Sequence, residues 1–143
     1  MCSFKEAFTD YLDAQNVKWV EEAEHVISVT YTGDNIASIK VNVFFDDDKP
    51  MLALRCWNIA NFKNKASFTD KVAEGIALCN ELNNEYRWTK FSLTKSNDIV
   101  CSMDTYSPTE DEEIFGAIGL NAVRRIVSIV DEAYPKIMQT LWR

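Results

Sequence analysis

Hydrophobic residues recur with helical spacing at the start of the chain. Phe4, Phe8, Tyr11 and Leu12 stand at i, i+4, i+7 and i+8, which is one face of a helix. Ser3 and Glu6 have the spacing of a capping box just before this stripe. The pattern predicts a first helix from about Ser3 to Ala14, ended by Asn16.

Strict alternation of apolar and polar residues follows and indicates strands. HVISVTYT carries Ile27, Val29 and Tyr31 on one face, and IASIKVNVFF carries Ile39, Val41, Val43 and Phe45 on one face. The turn Gly33-Asp34-Asn35 separates them, and Asp46 to Pro50 leads into the next apolar run, MLALRCW. With the short run VKWVEE before them, these segments predict three or four antiparallel strands in sequence.

A second helical stripe starts near Ser67 and is predicted to end at Leu82 or Asn83. Its apolar positions are Phe68, Val72, Ala73, Ile76, Ala77, Cys79 and Leu82. Asparagine tolerates the left-handed conformation at helix ends, so Asn83 and Asn84 are predicted to form a helix-to-strand joint. YRWTKFSLTK and IVCSMDTY then read as two strands around a tight turn, Ser96-Asn97-Asp98.

The third helix has the clearest start signal in the chain. Ser107-Pro108-Thr109-Glu110 combines a capping serine, a proline at the first helical position and a glutamate at the third. A long apolar stripe follows, and Pro135 is predicted to interrupt it and leave a kinked or separate last segment. Gly116 and Gly119 inside this helix predict that another element packs closely against it.

Together these elements predict an α+β fold in a single domain covering residues 1–143. The order is helix, three or four antiparallel strands, helix, two strands, helix, written α-β-β-β(-β)-α-β-β-α. The length of 143 residues and the apolar content of 47% suit one hydrophobic core.

Charge and cysteine usage exclude several classes of partner. The net charge of -7 repels nucleic-acid phosphates and anionic lipid, so no nucleic acid and no membrane is expected as a partner. The four cysteines are scattered, and no signal peptide or membrane-spanning stretch is found in the sequence. We therefore expect a cytoplasmic protein with reduced cysteines, three of which, Cys56, Cys79 and Cys101, are expected in the core or at its edge.

No residue pattern indicates catalysis. His25 is the single histidine and is predicted at the start of a strand, on the face of Ile27. Asp46-Asp47-Asp48 lacks the spacing of a calcium loop, and the acidic run Glu110 to Glu113 fits a helix start. With no glycine-rich phosphate loop either, the sequence predicts a protein that is not an enzyme and holds no metal or other cofactor.

The motifs resemble one known family over nearly the whole chain. VISVTYTGDNIASIKVNVFFDDDKPMLAL, CNELNNEYRWTKFSL and DIVCSMDTY, placed between the first and last helices, are similar to the YbjN-like family of small bacterial proteins. This family is described as sensory transduction regulators, with a fold similar to type III secretion chaperones. The resemblance implies an acidic, cytoplasmic, dimeric module that binds or regulates other proteins, and it transfers no catalytic residue.

Alternation also predicts which face of the sheet is free for binding. The residues expected to face the helices are Ile39, Val41, Val43, Leu52, Leu54, Phe91, Leu93, Ile99, Cys101 and Met103. The residues then expected on the opposite face are Phe44, Met51, Trp57, Tyr86, Trp88 and Val100. Such a face is more apolar than a solvated sheet face and is typical of an interface.

Two alternatives stay open at this point. Either the first helix or the C-terminal segment with Ile137, Leu141 and Trp142 could fold back over that face. The leading hypothesis is a non-enzymatic interaction protein that presents this face to itself, as a homodimer, or to an unknown protein partner. The alternative is a small-molecule-binding module with a cavity between sheet and helices.

Overall fold

The computed structural model describes residues 3–63 and 71–142 of the chain. The helices are α1 (Ser3–Ala14), α2 (Val72–Glu85) and α3 (Glu112–Trp142). The strands are β1 (Val20–Ala23), β2 (Val26–Tyr31), β3 (Ile39–Phe45), β4 (Met51–Cys56), β5 (Lys90–Leu93) and β6 (Ile99–Tyr106). The predicted α+β class and element order are confirmed, with the fourth strand of the first group present. The predicted start of the second helix, at Ser67, lies outside the described residues.

The strands form one antiparallel sheet in the order β1-β2-β3-β4-β6-β5. Ile27 pairs with Val43, Val43 with Leu54, and Leu54 with Met103, so one row of side chains crosses four strands on one face. None of these four is more than 7% exposed. All residues predicted to face the helices lie in this core or pack against it, because the two-residue period of a strand fixes the face of every side chain once one face is buried.

The three helices pack on this core face of the sheet. The ring of Phe8 in α1 lies 5.8 Å from Phe45 at the end of β3, and Phe4 lies 5.5 Å from Phe115 of α3. Gly116 and Gly119 let α3 approach α1 closely, as predicted, because a Cβ at either position would overlap an α1 side chain. α1 ends at Ala14, and Asn16, two residues later, is left-handed at φ 58, so the predicted end of this helix is confirmed as well.

The second helix ends later than predicted. Asn83 and Asn84 are helical, and neither is among the described non-glycine residues with positive φ. The backbone N–H of Tyr86 donates to the carbonyl of Leu82 (2.8 Å), which carries the helical hydrogen bonding past both asparagines. The predicted left-handed joint at these positions is therefore wrong.

The third helix begins later than predicted, at Glu112. The carboxylate of Asp111 accepts the N–H of Ile114 (3.1 Å), which makes Asp111 the N-cap. Ser107 instead donates its backbone N–H to the carbonyl of Pro50 (2.8 Å). This bond holds Ser107 beside the sheet, and the N-cap of α3 is Asp111 instead.

α3 continues through Pro135, so the prediction of a separate last segment is wrong, while the predicted kink stays a prediction. A proline lacks the N–H that would bond the carbonyl four residues earlier, here that of Asp131. The side chain of Asn35, in the loop between β2 and β3, donates to this carbonyl instead (2.9 Å). A long-range contact thus supplies the hydrogen bond that the proline removes.

This compensation predicts a specific coupling between Asn35 and Pro135. Asn35→Ala should lower the free energy of unfolding by about 1 kcal/mol, because it leaves a carbonyl without its donor. In a Pro135→Ala background the helix supplies its own N–H, so the same Asn35→Ala change should cost much less. Urea unfolding of the four proteins of this double-mutant cycle measures the coupling, and strictly additive effects would contradict it.

The carboxylate of Asp131 holds the same loop by its backbone. It accepts the N–H groups of Asp34 (2.9 Å), Asn35 (2.8 Å) and Ile36 (3.0 Å). Burial by itself raises the pKa of Asp131, but these three donors outweigh it and the pKa is lowered. A Cβ on Gly33 would lie 2.2 Å from an oxygen of this carboxylate, so the close approach requires glycine there.

The lowered pKa of Asp131 predicts acid sensitivity. A carboxyl group whose pKa is lower when folded contributes stability above its unfolded pKa, about 3.9, and loses that contribution as pH falls through the folded value. Asp131→Asn should therefore be destabilised at neutral pH and should show a flatter decline of stability below about pH 4. Urea midpoints measured across this range test the prediction, and parallel profiles for both proteins would refute it.

Candidate functional site

The strand register places three of the six predicted face residues opposite the core. We call this side the outer sheet face. Phe44 pairs with Ala53, and Met51 pairs with Tyr106. Along each strand these residues alternate with the core-facing residues, so they point to the opposite face. Val100 lies on the same face by alternation, although it is only 7% exposed. For these residues the periodicity gave the correct face of the sheet.

Tyr86 and Trp88 lie on the helix side, so their predicted placement is wrong. The Tyr86 ring is 6.2 Å from the ring of Phe91, a core residue. The guanidinium carbon of Arg125 in α3 stacks 4.8 Å from the centre of the Trp88 ring. Since β5 begins only at Lys90, the alternation assumed for these two aromatics does not apply before that residue.

Trp57 also falls outside the regular strand. Beyond the Cys56 and Cys101 pair, the next hydrogen bond joins Ile59 to Ile99, so two residues stand opposite Val100 alone. Two residues opposite one residue of the partner strand define a β-bulge. The second residue of this bulge, Asn58, is left-handed at φ 55. Here Trp57 lines a cavity of about 190 Å³ together with Val130 and Tyr134 of α3.

The apolar part of the outer sheet face is concentrated at one end. Val26 pairs with Phe44, Phe44 with Ala53, and Met51 with Tyr106. We call these residues the outer apolar patch: Val26, Phe44, Met51, Ala53 and Tyr106. The sequence analysis missed Val26, Ala53 and Tyr106. Ala53 shares the strand parity of Met51 in β4 and Tyr106 that of Val100 in β6, whereas no residue of β2 was selected for this face.

A polar row crosses the middle of the same face, which is therefore less apolar than predicted. Its members, from β2 to β5, are Ser28, Asn42, Arg55, Ser102 and Lys90. Two ion pairs lie on the face: Arg55 with Asp104 (3.0 Å) and Lys40 with Glu22 (3.1 Å). The hydroxyl of Ser28, followed by Lys40, lowers the pKa of Glu22. The charges of these pairs balance locally within a chain of net charge -7.

Neither alternative for covering the outer sheet face is found in the described residues. α1 packs against α3 on the core side, and Ile137 in the C-terminal part of α3 is fully buried in the core. Leu141 also packs against the core, while Trp142 is exposed. Within residues 3–63 and 71–142, the outer sheet face carries no helix.

The histidine and the acidic loop lie close together. His25 stands in the turn before β2, one residue earlier than predicted, and its ring nitrogen is 2.8 Å from a carboxylate oxygen of Asp47. The carboxylate of Asp46 accepts the backbone N–H groups of Asp48 (2.7 Å) and Lys49 (3.0 Å), which orders the loop as a turn. Among the described residues, no group of three or more histidine, cysteine, aspartate or glutamate side chains could hold a metal ion.

Three cysteines are buried free thiols, as predicted: Cys56, Cys79 and Cys101. Burial raises the pKa of Cys56 and of Cys79 to about 11. Burial is also the main cause of the raised pKa of Cys101, which lies against Cys56 in the neighbouring strand. A thiol with such a pKa holds almost no thiolate near neutral pH and reacts slowly.

The buried thiols give a direct test of this part of the core. Because Cys2 lies outside the described residues, the test uses a Cys2→Ser variant. Ellman's reagent at pH 8 should react slowly with the native variant and rapidly with three thiols after unfolding in urea. Rapid reaction of the folded protein would show that these elements do not enclose the thiols.

No described helix of this chain has the length and apolar character needed to cross a bilayer.

Comparison with family models gives a match, over residues 6–137, to YbjN, described as a putative bacterial sensory transduction regulator. Comparison with curated proteins and with solved structures gives no match. The likeness to type III secretion chaperones therefore stays a prediction. Because the family match reaches from α1 into the C-terminal part of α3, the chain belongs to the YbjN family.

Proposed function

We propose that this chain is a cytoplasmic, non-enzymatic regulatory module that acts by protein association through its outer sheet face, and that the occupant of this face is a second copy of the chain. The observation that carries the proposal is the open face itself. All three described helices pack on the other side, and the open side bears the outer apolar patch. The family description as a sensory transduction regulator agrees with a binding role.

Charge favours a second copy as the occupant. Two molecules of net charge -7 repel each other across most of their surfaces. On the outer sheet face the ion pairs of Arg55 with Asp104 and Lys40 with Glu22 cancel this charge locally. A two-fold interface brings the same patch of both copies together. Because this patch is apolar and the charges beside it are paired, two copies of it can meet without charge repulsion.

A small-molecule site between sheet and helices has less support. The cavity at Trp57 measures about 190 Å³, and the groove between β6 and α3 measures about 330 Å³. Ligand pockets usually enclose about 300–1,000 Å³, so the first is too small and the second lies at the lower end of that range.

The buried free thiols Cys56, Cys79 and Cys101 support a reducing compartment such as the cytoplasm.

Isotope-mixed cross-linking tests the proposal. Equal amounts of ¹⁴N- and ¹⁵N-labelled protein are mixed and treated with a lysine-specific cross-linker, so that only links between two copies combine a light and a heavy peptide. Lys40 and Lys90 lie on the outer sheet face and Lys49 adjoins it, and we expect mixed links among these three. Mixed links that involve Lys71 and Lys136 instead would place the interface on the helix side. The absence of mixed links would exclude the second copy.

A further inference from the structure

One side of β6 lacks a strand partner over its C-terminal half. β4 pairs with β6 from Cys101 to Tyr106, whereas β5 pairs only with Ile99 to Ser102. From Met103 onward, no described strand pairs with β6 on the β5 side. An unpaired strand edge presents backbone donors and acceptors to an incoming extended chain.

The direction of the backbone groups on this edge follows from the hydrogen bonds of Ile99. Both its N–H and its C=O bond towards the β4 side, to Ala60 and Ile59. Because these groups alternate in direction along a strand, those of Asp104 and Tyr106 point away from β4, towards the unpaired side. Within the described part of the chain, the backbone N–H and C=O of Asp104 have no hydrogen-bonding partner.

Side chains occupy part of each of the other two edges of the sheet, which sets this one apart. The carboxamide of Asn83 accepts the N–H of Phe91 (2.6 Å) and donates to its C=O (3.0 Å), as a neighbouring strand would. At the far edge, the ammonium of Lys5 bonds the carbonyls of Ala23 (3.0 Å) and Glu24 (2.9 Å). These side chains occupy the backbone groups of Phe91 in β5 and the carbonyls at the end of β1, so less of either edge is free for strand addition.

A groove of about 330 Å³ runs along the unpaired edge. One wall is α3, with Ile118, Asn121 and Arg125, and the other wall includes Trp88 and Tyr106. These two aromatic side chains are 61% and 62% exposed, among the largest exposed apolar surfaces of the described residues. A groove between a strand edge and a helix is a shape that accepts an extended peptide.

The charged groups of the groove favour a carboxylate on that peptide. The guanidinium of Arg125 stacks on Trp88 and has no carboxylate partner among the described residues. The carboxylate of Asp104 is already paired with Arg55 on the outer sheet face. The guanidinium of Arg125 is therefore available to bind an anionic group of the peptide, and its paired N–H donors suit a carboxylate.

We infer that this groove binds an extended peptide segment of another protein, which adds to the sheet as a strand beside Asp104 and Tyr106, packs an apolar side chain against Trp88 and places a carboxylate at Arg125. Tyr106 belongs both to this groove and to the outer apolar patch, but the groove also needs the edge of β6 and α3, which the outer sheet face does not use. Peptide binding is therefore tested separately from the association of two copies.

Selection from a phage-displayed library of random linear decapeptides tests the inference with the full chain as bait. The key variant is Asp104→Pro, which removes the outward N–H and leaves the bonds to β4 intact, since proline is tolerated at strand edges. Asp104→Asn is the matched control, because it also breaks the ion pair with Arg55 but keeps the N–H. We expect selected peptides to carry an acidic residue, to bind wild type and Asp104→Asn alike, and to bind Asp104→Pro about tenfold more weakly.

A direct measurement on wild type covers the case in which Asp104→Pro fails to fold. Binding of a selected peptide should slow the amide hydrogen exchange of Asp104 and Tyr106, and Arg125→Gln should weaken the acidic peptide but not its amide-substituted version. The inference would be overturned if library peptides were enriched no more on wild type than on Asp104→Pro. It would also be overturned if binding left the hydrogen exchange of both amides unchanged, or if the bound peptide were helical. Association of two copies that is lost in Asp104→Pro but kept in Asp104→Asn would assign the groove to a second copy and overturn it as well.

Discussion

Replacing Gly119 by alanine is expected to lower the free energy of unfolding by about 2 kcal/mol. Alanine is the better helix former by about 1 kcal/mol, so helix propensity alone predicts the opposite sign. A Cβ at this position would lie 2.5 Å from Cε1 of Phe8 and 2.6 Å from Cδ1 of Leu52. Both side chains are fully buried, at 0% and 1% exposure, and cannot move into solvent to relieve the overlap.

Gly116→Ala is the matched comparison in the same helix. Its Cβ would lie 2.2 Å from Cγ and 2.6 Å from Cβ of Tyr11, and rotation of the tyrosine side chain does not move its Cβ, so α1 itself would have to shift. We therefore expect a loss of similar size for Gly116→Ala and Gly119→Ala, and partial recovery of Gly119→Ala when Phe8 is changed to leucine. Urea unfolding measures all four proteins, and a stabilised Gly119→Ala would refute the packing of α1, α3 and β4 described above.

The second large effect is expected at the outer apolar patch. Phe44→Ser should weaken the association of two copies by about 30-fold, which corresponds to a loss of about 2 kcal/mol when an aromatic anchor is truncated. The fold should persist, because Phe44 lies opposite the core face of the sheet. Met51→Ser should act in the same direction with a smaller effect, since methionine is a less frequent anchor than an aromatic residue.

Trp88→Ala supplies a demanding control for this prediction. Trp88 is the more exposed aromatic residue of the two and was expected on the same face from the sequence. Because it stacks with Arg125 on the helix side, its removal should leave the association through the outer sheet face unchanged. A larger effect of Trp88→Ala than of Phe44→Ser would move the interface to the groove between α3 and β6.

The sequence predicted the core face of the sheet well because strand periodicity carries that information locally. Once Ile39, Val41 and Val43 alternate with polar residues, their shared face is determined without knowledge of their partners. The same reasoning failed at Tyr86 and Trp88, since the strand that it assumed begins only at Lys90. Periodicity gives the face of a side chain, but it does not locate the residue at which a strand starts.

The remaining differences come from contacts between distant parts of the chain. Asn83 reads as a helix terminator, yet it forms hydrogen bonds with the edge strand at Phe91. Pro135 reads as a helix break, yet Asn35 supplies the missing donor from a loop about a hundred positions earlier in the sequence. No local pattern indicates either partner, so single-sequence reasoning assigned both residues their commonest local role.

For the candidate site, the sequence predicted the correct face of the sheet but only some of the residues that form the patch there. Phe44 and Met51 lie in the outer apolar patch, whereas Val26, Ala53 and Tyr106 become its neighbours only through strand pairing. The polar row through Arg55 was not expected, because sequence alternation does not show which strands are adjacent. The strand order β4-β6-β5 also creates the unpaired edge at Asp104, which no single segment of the sequence indicates.

Sedimentation velocity over a range of protein concentrations tests the association through the outer sheet face most directly. Wild type is compared with Phe44→Ser and with Ile76→Ser, a matched control that removes an exposed apolar side chain of α2 on the opposite side of the molecule. We predict a concentration-dependent dimer for wild type and for Ile76→Ser, and a monomer for Phe44→Ser at the same concentrations. Wild type that remains monomeric throughout, or a dimer equally stable in Phe44→Ser, would contradict the proposed role of this face.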